Sequence, residues 1–445
     1  MPEIASPPAS TLTPAKTARQ RSDTLTSIWM IIAVAMALVT LVVKNRMPQP
    51  LWTMIHLVTL GVLSNGIFQW SWFFARSLAR LSADDPRARR HNTIRILIFN
   101  ACFLLLFVSM WLGWMVGTMI AATGIAAVAA WHGAEMLSVL RERLASRFVI
   151  VVRYYVCSAS FFVLAALLAS FVSATMFSPS IPEALVAIRD RLTLAHALSG
   201  VAGWVGLTIG GTVITLGPTI LRTRMSPDAV SGGVRVLLPW CLSLLLAIAG
   251  ALLGVMPLVG AGILAVGTCA IVGIVYPYAK VLRNKGPREY SAWSFLLGLL
   301  WISVGVCALG VASLFVSTPS QLRALTLMWL PIIGIAGFAQ LFQGALSYLM
   351  PVVIGGGPSV VRIGIAIIDW QYSLRLGLRN STLILELFLF FTSDSPSVHV
   401  LRMAGWFLVI ATFVIDVVIY AKTGVTQARA RRARSETLSE SRQVQ

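Results

Sequence analysis

Of 445 residues, 57% are hydrophobic and 11% charged, where an average soluble domain carries about a quarter charged residues. Lys and Arg number 35 against 16 Asp and Glu, a formal net charge of +19. Apolar runs long enough to cross a bilayer recur from residue 26 to residue 421, and about 20 residues suffice for one helical crossing. A soluble globular enzyme is thereby excluded, and an all-α polytopic membrane protein is expected.

In chain order, residues 1–25, rich in Pro, Ser, Thr and Ala, read as a disordered cytoplasmic tail. A single transmembrane domain, 26–421, follows. Its twelve expected spans are 26–43, 51–75, 95–113, 115–138, 149–174, 193–219, 234–253, 256–279, 291–316, 325–351, 377–392 and 399–420. No small-residue cleavage site follows the first of these ("VVKNRMPQP"), so an uncleaved span is expected rather than a secretory signal. "WLGWMVG" and "LLGVMP" are very short outer turns. The Gly-Gly-Gly-Pro run in 352–376 breaks the tenth span. Behind it, Arg362, Asp369 and Arg375 among Ile and Trp describe a helix lying in the inner interface. Residues 422–445 read as a basic cytoplasmic tail.

With both termini inside, 29 of the 35 Lys and Arg fall on the cytoplasmic side, including Arg95, Arg147, Lys285, Arg375 and Arg379. Lys44, Arg46, Arg189, Arg191, Arg323 and Arg402 remain outside. This is a positive-inside distribution. It explains the net charge through topology and anionic lipid, with no nucleic-acid partner. The cysteines Cys102, Cys157, Cys241, Cys269 and Cys307 lie within spans without a CxxC pair, so neither a disulfide framework nor a zinc site is indicated.

Two of the five histidines, His56 and His196, stand near the outer ends of the second and sixth spans, each with glycines behind it ("HLVTLGVLSNG" and "HALSGVAGWVGLTIGG"). The spans run in the same direction, and at 1.5 Å per residue the histidines differ in depth by about 3 Å. Hydrocarbon offers imidazole nitrogens no partners, so an intramembrane histidine is a functional candidate by default, the bland alternative being a packing role bonded to a neighbouring helix. Gly61, Gly66, Gly200, Gly203, Gly206 and Gly210 bare one side of each span. Close helix packing is the commoner use of such faces. They also allow a flat macrocycle to lie beside an axial histidine, as haem ligation requires.

A third segment, "GFAQLFQGALSYLMP" at 337–351, is similar to "GWVGLTIGGTVITLGP" at 203–218. The second, sixth and tenth spans therefore recur every four helices, which suggests a pseudo-threefold arrangement of four-helix arcs. The tenth has no histidine; its polar groups are Gln340, Gln343 and Tyr348. Glu386 is the carboxylate placed well inside a span, either neutral and hydrogen-bonded or part of a proton or cation path. Asp416 and Glu135 read as close enough to the inner interface to be solvated. His91 and His132 read as structural. His399 at the outer start of the twelfth span is a possible third metal ligand, with Met54 and Met328 as soft copper ligands.

Twelve spans, three arcs and histidines on the second and sixth helices resemble the catalytic subunit of haem–copper oxidases. They also resemble its relative, the membrane nitric-oxide-response protein that contains haem and copper. Three stretches, "HLVTLGVLSNGIFQWSWFFA", "AHALSGVAGWVGLTIGGTVITLGPTILRTRM" and "FAQLFQGALSYLMPVVIGGGP", are similar to a bacterial membrane domain fused ahead of copper-nitrite-reductase-like cupredoxin modules. The resemblance implies a bacterial plasma-membrane protein, haem or copper held by His56 and His196, and a cupredoxin or other redox partner. The departures are specific. Phe73, Phe74 and Leu198 stand where further histidines are expected, and neither 237–253 nor 325–351 contains one. A binuclear oxygen-reducing centre is excluded by ligand count, and with no cupredoxin module after residue 445, nitrite reduction within the chain is not expected. Enzyme activity thus remains an open reading that leans towards none. The alternative function is a twelve-helix membrane transporter, although the periodicity runs in thirds rather than the halves usual there.

Overall fold

The computed structural model describes residues 18–82, 84–143, 146, 149–177, 182–224, 227–284, 286–392 and 395–443. Among them every regular element is helical. Ten helices are long and apolar enough to cross a membrane: α2 (Pro50–Ala79), α3 (Arg87–Leu112), α4 (Met115–Glu142), α5 (Val149–Phe177), α6 (Ile188–Ile220), α7 (Asp228–Leu253), α8 (Met256–Arg283), α9 (Tyr290–Ser313), α10 (Pro319–Ile354) and the first part of α13 (Pro396–Gln443). The chain is a multi-pass, all-α membrane protein.

Two of the twelve expected spans differ in kind. α1 (Ala18–Val43) carries a shorter apolar stretch, Thr26–Thr40, which at 1.5 Å per residue covers less than the hydrocarbon core of about 30 Å. α12 (Tyr372–Phe390) includes Arg375, Arg379 and Glu386, and these charges set it apart from the ten. The segment expected to lie in the interface is α11 (Pro358–Ile368), with Val360, Gly364 and Ile368 buried along one side.

Helix extends into both terminal segments. α1 begins at Ala18, inside the segment read as a disordered tail; residues 1–17 lie outside the described residues, as do Arg147 and Lys285. At the other end α13 continues without a break from the bilayer through the basic tail to Gln443. The reason is local chemistry. α10 ends at Ile354, and the last carbonyls of a helix have no partner within it. Gln427 Nε2 donates to the Pro351 and Gly355 carbonyls at 2.7 and 3.2 Å. Arg431 donates to Ile354 O at 2.7 Å, and Arg434 to Gly356 O at 3.0 Å and Ser359 Oγ at 2.6 Å. Cations at a helix C-terminus also complement its dipole. The intervening Gly355, Gly356 and Gly357 all have positive φ, which lets the chain reverse from α10 into α11.

Contacts group the chain into two compact units, one up to Ile209 and one from Gly210. In the first, Phe68, Phe99, Phe162 and Trp204 form an aromatic core, with Phe162 and Trp204 stacked at 4.6 Å between centroids. In the second, α9 and α10 approach closely through glycines: a Cβ on Gly298 would meet Leu341 and one on Gly344 would meet Phe295. Lipid gives no hydrophobic drive for helices to associate, so such close packing and interhelical hydrogen bonds must hold them together.

Runs of π-helix interrupt the three spans expected to repeat: Leu57–Ser64 in α2, Leu198–Gly206 in α6 and Ile332–Ala339 in α10. Shorter π turns lie at Arg87–His91 and Ile271–Val275. The offset that carries Leu198 to Ile332 also carries His196 to Leu330, so α10 has leucine at the corresponding position.

Candidate functional site

His56 closes the α-helical start of α2, immediately before its π run, and His196 stands two residues before the π run of α6. The first unit brings the two together. Their ring centroids are 6.1 Å apart and their planes are inclined by 13°. His56 Nδ1 lies 2.8 Å from Trp52 O, and His196 Nδ1 lies 2.8 Å from Ala165 O on α5. A carbonyl oxygen only accepts, so both Nδ1 atoms carry the hydrogen and donate it, and each Nε2 keeps its lone pair. The Trp52 indole stacks on the His56 ring at 4.2 Å and fixes its plane. Toward the inner end, Trp204 Nε1 donates to Ser64 Oγ at 2.9 Å and ties the π run of α6 to that of α2. Thr208 Oγ1 then donates to Ser158 Oγ on α5 at 3.0 Å.

Both imidazoles are therefore oriented, share one tautomer and hold a free nitrogen each. A metal-bound imidazole nitrogen lies about 2 Å from its metal. The two rings, 6.1 Å apart between centroids, are near enough that one group could be held by both. Among the described residues no group of three or more His, Cys, Asp or Glu is placed to hold a metal ion. Copper needs a larger set of donors, whereas two axial imidazoles complete a haem iron. Of the proposed helpers, Met54 is partly buried, Met328 is exposed, and His399 is exposed at the start of α13.

Gly61 and Gly203 serve close packing. A Cβ on Gly61 would lie 2.5 Å from Ala33 Cβ, and one on Gly203 would lie 2.5 Å from Phe161 Cβ. These two bare faces are occupied by α1 and α5 and are not free for a macrocycle. Gly200 and Gly206 have looser surroundings, with first contacts at 3.8 Å and 3.5 Å.

Several charged residues lie deeper than their sequence positions suggested. Asp416, expected near solvent, is fully buried and accepts from Arg375, Arg379 and Tyr290 Oη, the last at 2.6 Å. Arg379 also donates to Thr412 Oγ1 at 2.9 Å and to Gln343 Oε1 at 3.0 Å. Arg375 also donates to the Ile368 and Trp370 carbonyls at 2.5 and 3.0 Å. Glu135 is likewise largely enclosed, paired with the buried Arg95, 2.7 Å from His91 Nδ1 and 2.9 Å from Trp131 Nε1. Arg95, Arg375 and Arg379 thus serve ion pairs within the helices rather than marking a cytoplasmic loop. His132 is wholly buried among Phe68, Trp72 and Trp204, with Nε2 3.4 Å from Ser71 Oγ.

In the second unit Gln343 joins the buried network around Asp416, while Gln340 forms a separate reciprocal amide pair with Asn380 at 3.1 Å. Tyr348 is half-buried; the tyrosines bonded to Gln343 are Tyr290 and Tyr420. A partial signal for this network is the pair of arginines four residues apart in "RLGLRN", where the apolar run of α12 begins; a buried arginine there calls for an acid on the facing helix. Glu386 is 4% exposed, and its Oε1 has no hydrogen-bond partner.

No family profile matches the chain, and neither curated proteins nor solved structures gave a match.

Proposed function

We propose that this protein is a membrane haem protein in which His56 and His196 would hold the haem, serving electron transfer without full oxidase activity. The observation that carries the reading is the near-parallel imidazole pair, 6.1 Å between centroids, with both Nδ1 atoms committed to carbonyl oxygens. Haem bound there would supply one-electron redox chemistry. The chain's own part is orientation: Trp52 O and Ala165 O fix the tautomers and raise the basicity of the coordinating nitrogens, as outer-shell acceptors do for metal-bound histidines. With both imidazoles engaged, the site would favour electron exchange over binding of a small gas. A cupredoxin or another redox protein is the partner class.

The resemblance to the haem–copper oxidase superfamily, with twelve spans in three four-helix arcs, belongs to the same proposal. It is supported by π runs at matching places in α2, α6 and α10. The resemblance implies a bacterial plasma membrane, and the basic-residue distribution favours both termini cytoplasmic, after Arg95, Arg375 and Arg379 are set aside as buried partners.

An optical spectrum of protein purified after expression with ample haem tests the reading. A Soret band is expected in the wild type, lost or converted to a five-coordinate form in His196→Ala and in His56→Ala. Wild-type protein free of haem overturns the proposal and leaves the transporter reading in its place.

A further inference from the structure

The seam between α12 and α13 is polar along much of its length. On α12 it presents Arg375, Arg379, Thr382 and Glu386, spaced by three or four residues and therefore on one face; all are buried. On α13 it presents Gly405, Thr412 and Asp416. At the Asp416 end each charged side chain has hydrogen-bond partners: Arg375 and Arg379 share the one Asp416 carboxylate, with Tyr290 donating to Asp416 and Thr412 accepting from Arg379. At the other end Glu386 is treated differently. Its carboxyl lies over the bare backbone of Gly405, so close that a Cβ there would be 2.0 Å from Oε1, with Thr382 Cγ2 at 3.4 Å. Oε1 is shut from solvent and accepts no hydrogen bond. The charged group acting on it is Arg402, almost one turn before Gly405 on α13.

A buried carboxylate oxygen without a donor is unfavourable, and a carboxyl group can relieve this by taking up a proton. The missing side chain at residue 405 provides the room this carboxyl occupies. We infer that Glu386 is a proton-binding site within the α12–α13 seam, exchanging a proton with water as its carboxyl alternates between the acid and the carboxylate. The ligand is a proton, the acceptor is the Glu386 carboxylate, and no other bond changes. The inference rests on the second unit alone and stands or falls independently of haem binding.

A hydrophobic carbodiimide reacts with protonated carboxyl groups in apolar surroundings. The full-length protein in detergent is treated with dicyclohexylcarbodiimide, and the adduct is located by fragmenting the 380–402 peptide. Modification on Glu386 is expected, and above the group's pKa its rate should fall roughly tenfold per pH unit, following the protonated fraction. Glu386→Gln should abolish it and also remove a protonated-carboxyl C=O band that shifts in D2O. Gly405→Ala, which must displace the carboxyl, should change the labelling rate several-fold with helical content unchanged. Absence of label and of the infrared band in folded wild-type protein, or label that persists in Glu386→Gln, overturns the inference.

Discussion

The same device is built twice, once in each unit. In the first, Arg95 on α3 pairs with Glu135 on α4; five residues on, Asn100 forms a reciprocal amide pair with Asn65, the residue that follows the π run of α2. In the second, Arg375 on α12 pairs with Asp416 on α13; five residues on, Asn380 forms a reciprocal amide pair with Gln340, the residue that follows the π run of α10. Each arginine also lies over aromatic rings, Arg95 over Trp72 and Trp131 at 5.0 and 5.3 Å, Arg375 over Tyr290 at 4.6 Å. The copies differ in how they are closed. Glu135 shares its charge with His91, whose side chain is 39% exposed, so the first copy communicates with solvent. The second adds Arg379 and Tyr290 around Asp416 and is sealed. The pattern is one framework, an arginine anchored to an acid and an amide clasp below the π run, with the first copy left open at its polar end.

That comparison is most sharply broken at Asp416. Removing one partner of a buried ion pair leaves the other charge uncompensated, at a cost of about 3–5 kcal/mol. Asp416→Asn should therefore lower the folded yield and the unfolding midpoint severely, and Arg375→Leu with Asp416→Leu should recover only part, because Arg379 remains. Thermal unfolding in detergent measures both. If the copies differ as described, Glu135→Gln should be milder, about 1–3 kcal/mol, because water reaches the vacated site. Equal losses in the two variants would refute the distinction between open and sealed. The amide clasps are smaller still: interhelical hydrogen bonds in membranes average about 0.6 kcal/mol and reach about 1.7. Asn100→Leu and Asn380→Leu should each fall in that range, with Asn380 the costlier since it also accepts from Trp301 Nε1 at 2.8 Å.

The smallest expected effect concerns the loop that borders the open copy. Asp85 accepts from Arg87 through both carboxylate oxygens, at 3.1 and 2.8 Å, and chiefly this holds its carboxyl below the usual carboxylate range, against the opposing effect of burial. A depressed acid stabilises the folded form above its unfolded pKa of about 3.9, and the contribution is lost as pH falls through the lower folded value. Limited proteolysis of the 79–91 region should rise as the medium is acidified below about pH 4, and Asp85→Asn should remove that dependence.

The helical architecture was legible because apolar length and basic flanks follow from bilayer thickness alone. His56 and His196 were legible as a pair because helical rise converts sequence position into depth. The ion pairs were not, because Arg95, Arg375, Glu135 and Asp416 sit where an apolar run meets its flank, and hydropathy cannot distinguish a snorkelling charge from one turned inward. The helical tail escaped for a related reason: "ARARRARSE" reads as solvated until the unsatisfied carbonyls of Pro351 to Gly356 are set beside it.

The π runs carry a consequence for how this chain tolerates insertion and deletion. One extra residue in an α-helix rotates everything beyond it by about 100°, unless it is absorbed as a wider turn. Such a turn lies between His56 and Asn65, between His196 and Thr208, and before Gln340. Deleting one residue within any of these runs should narrow the turn while keeping the residues before and after it on their present faces. The same deletion a few residues later, in the α-helical part, would turn the lower half of the helix away from its neighbours. The three sites thus mark where gain or loss of a single codon can be accommodated in an otherwise unforgiving membrane helix.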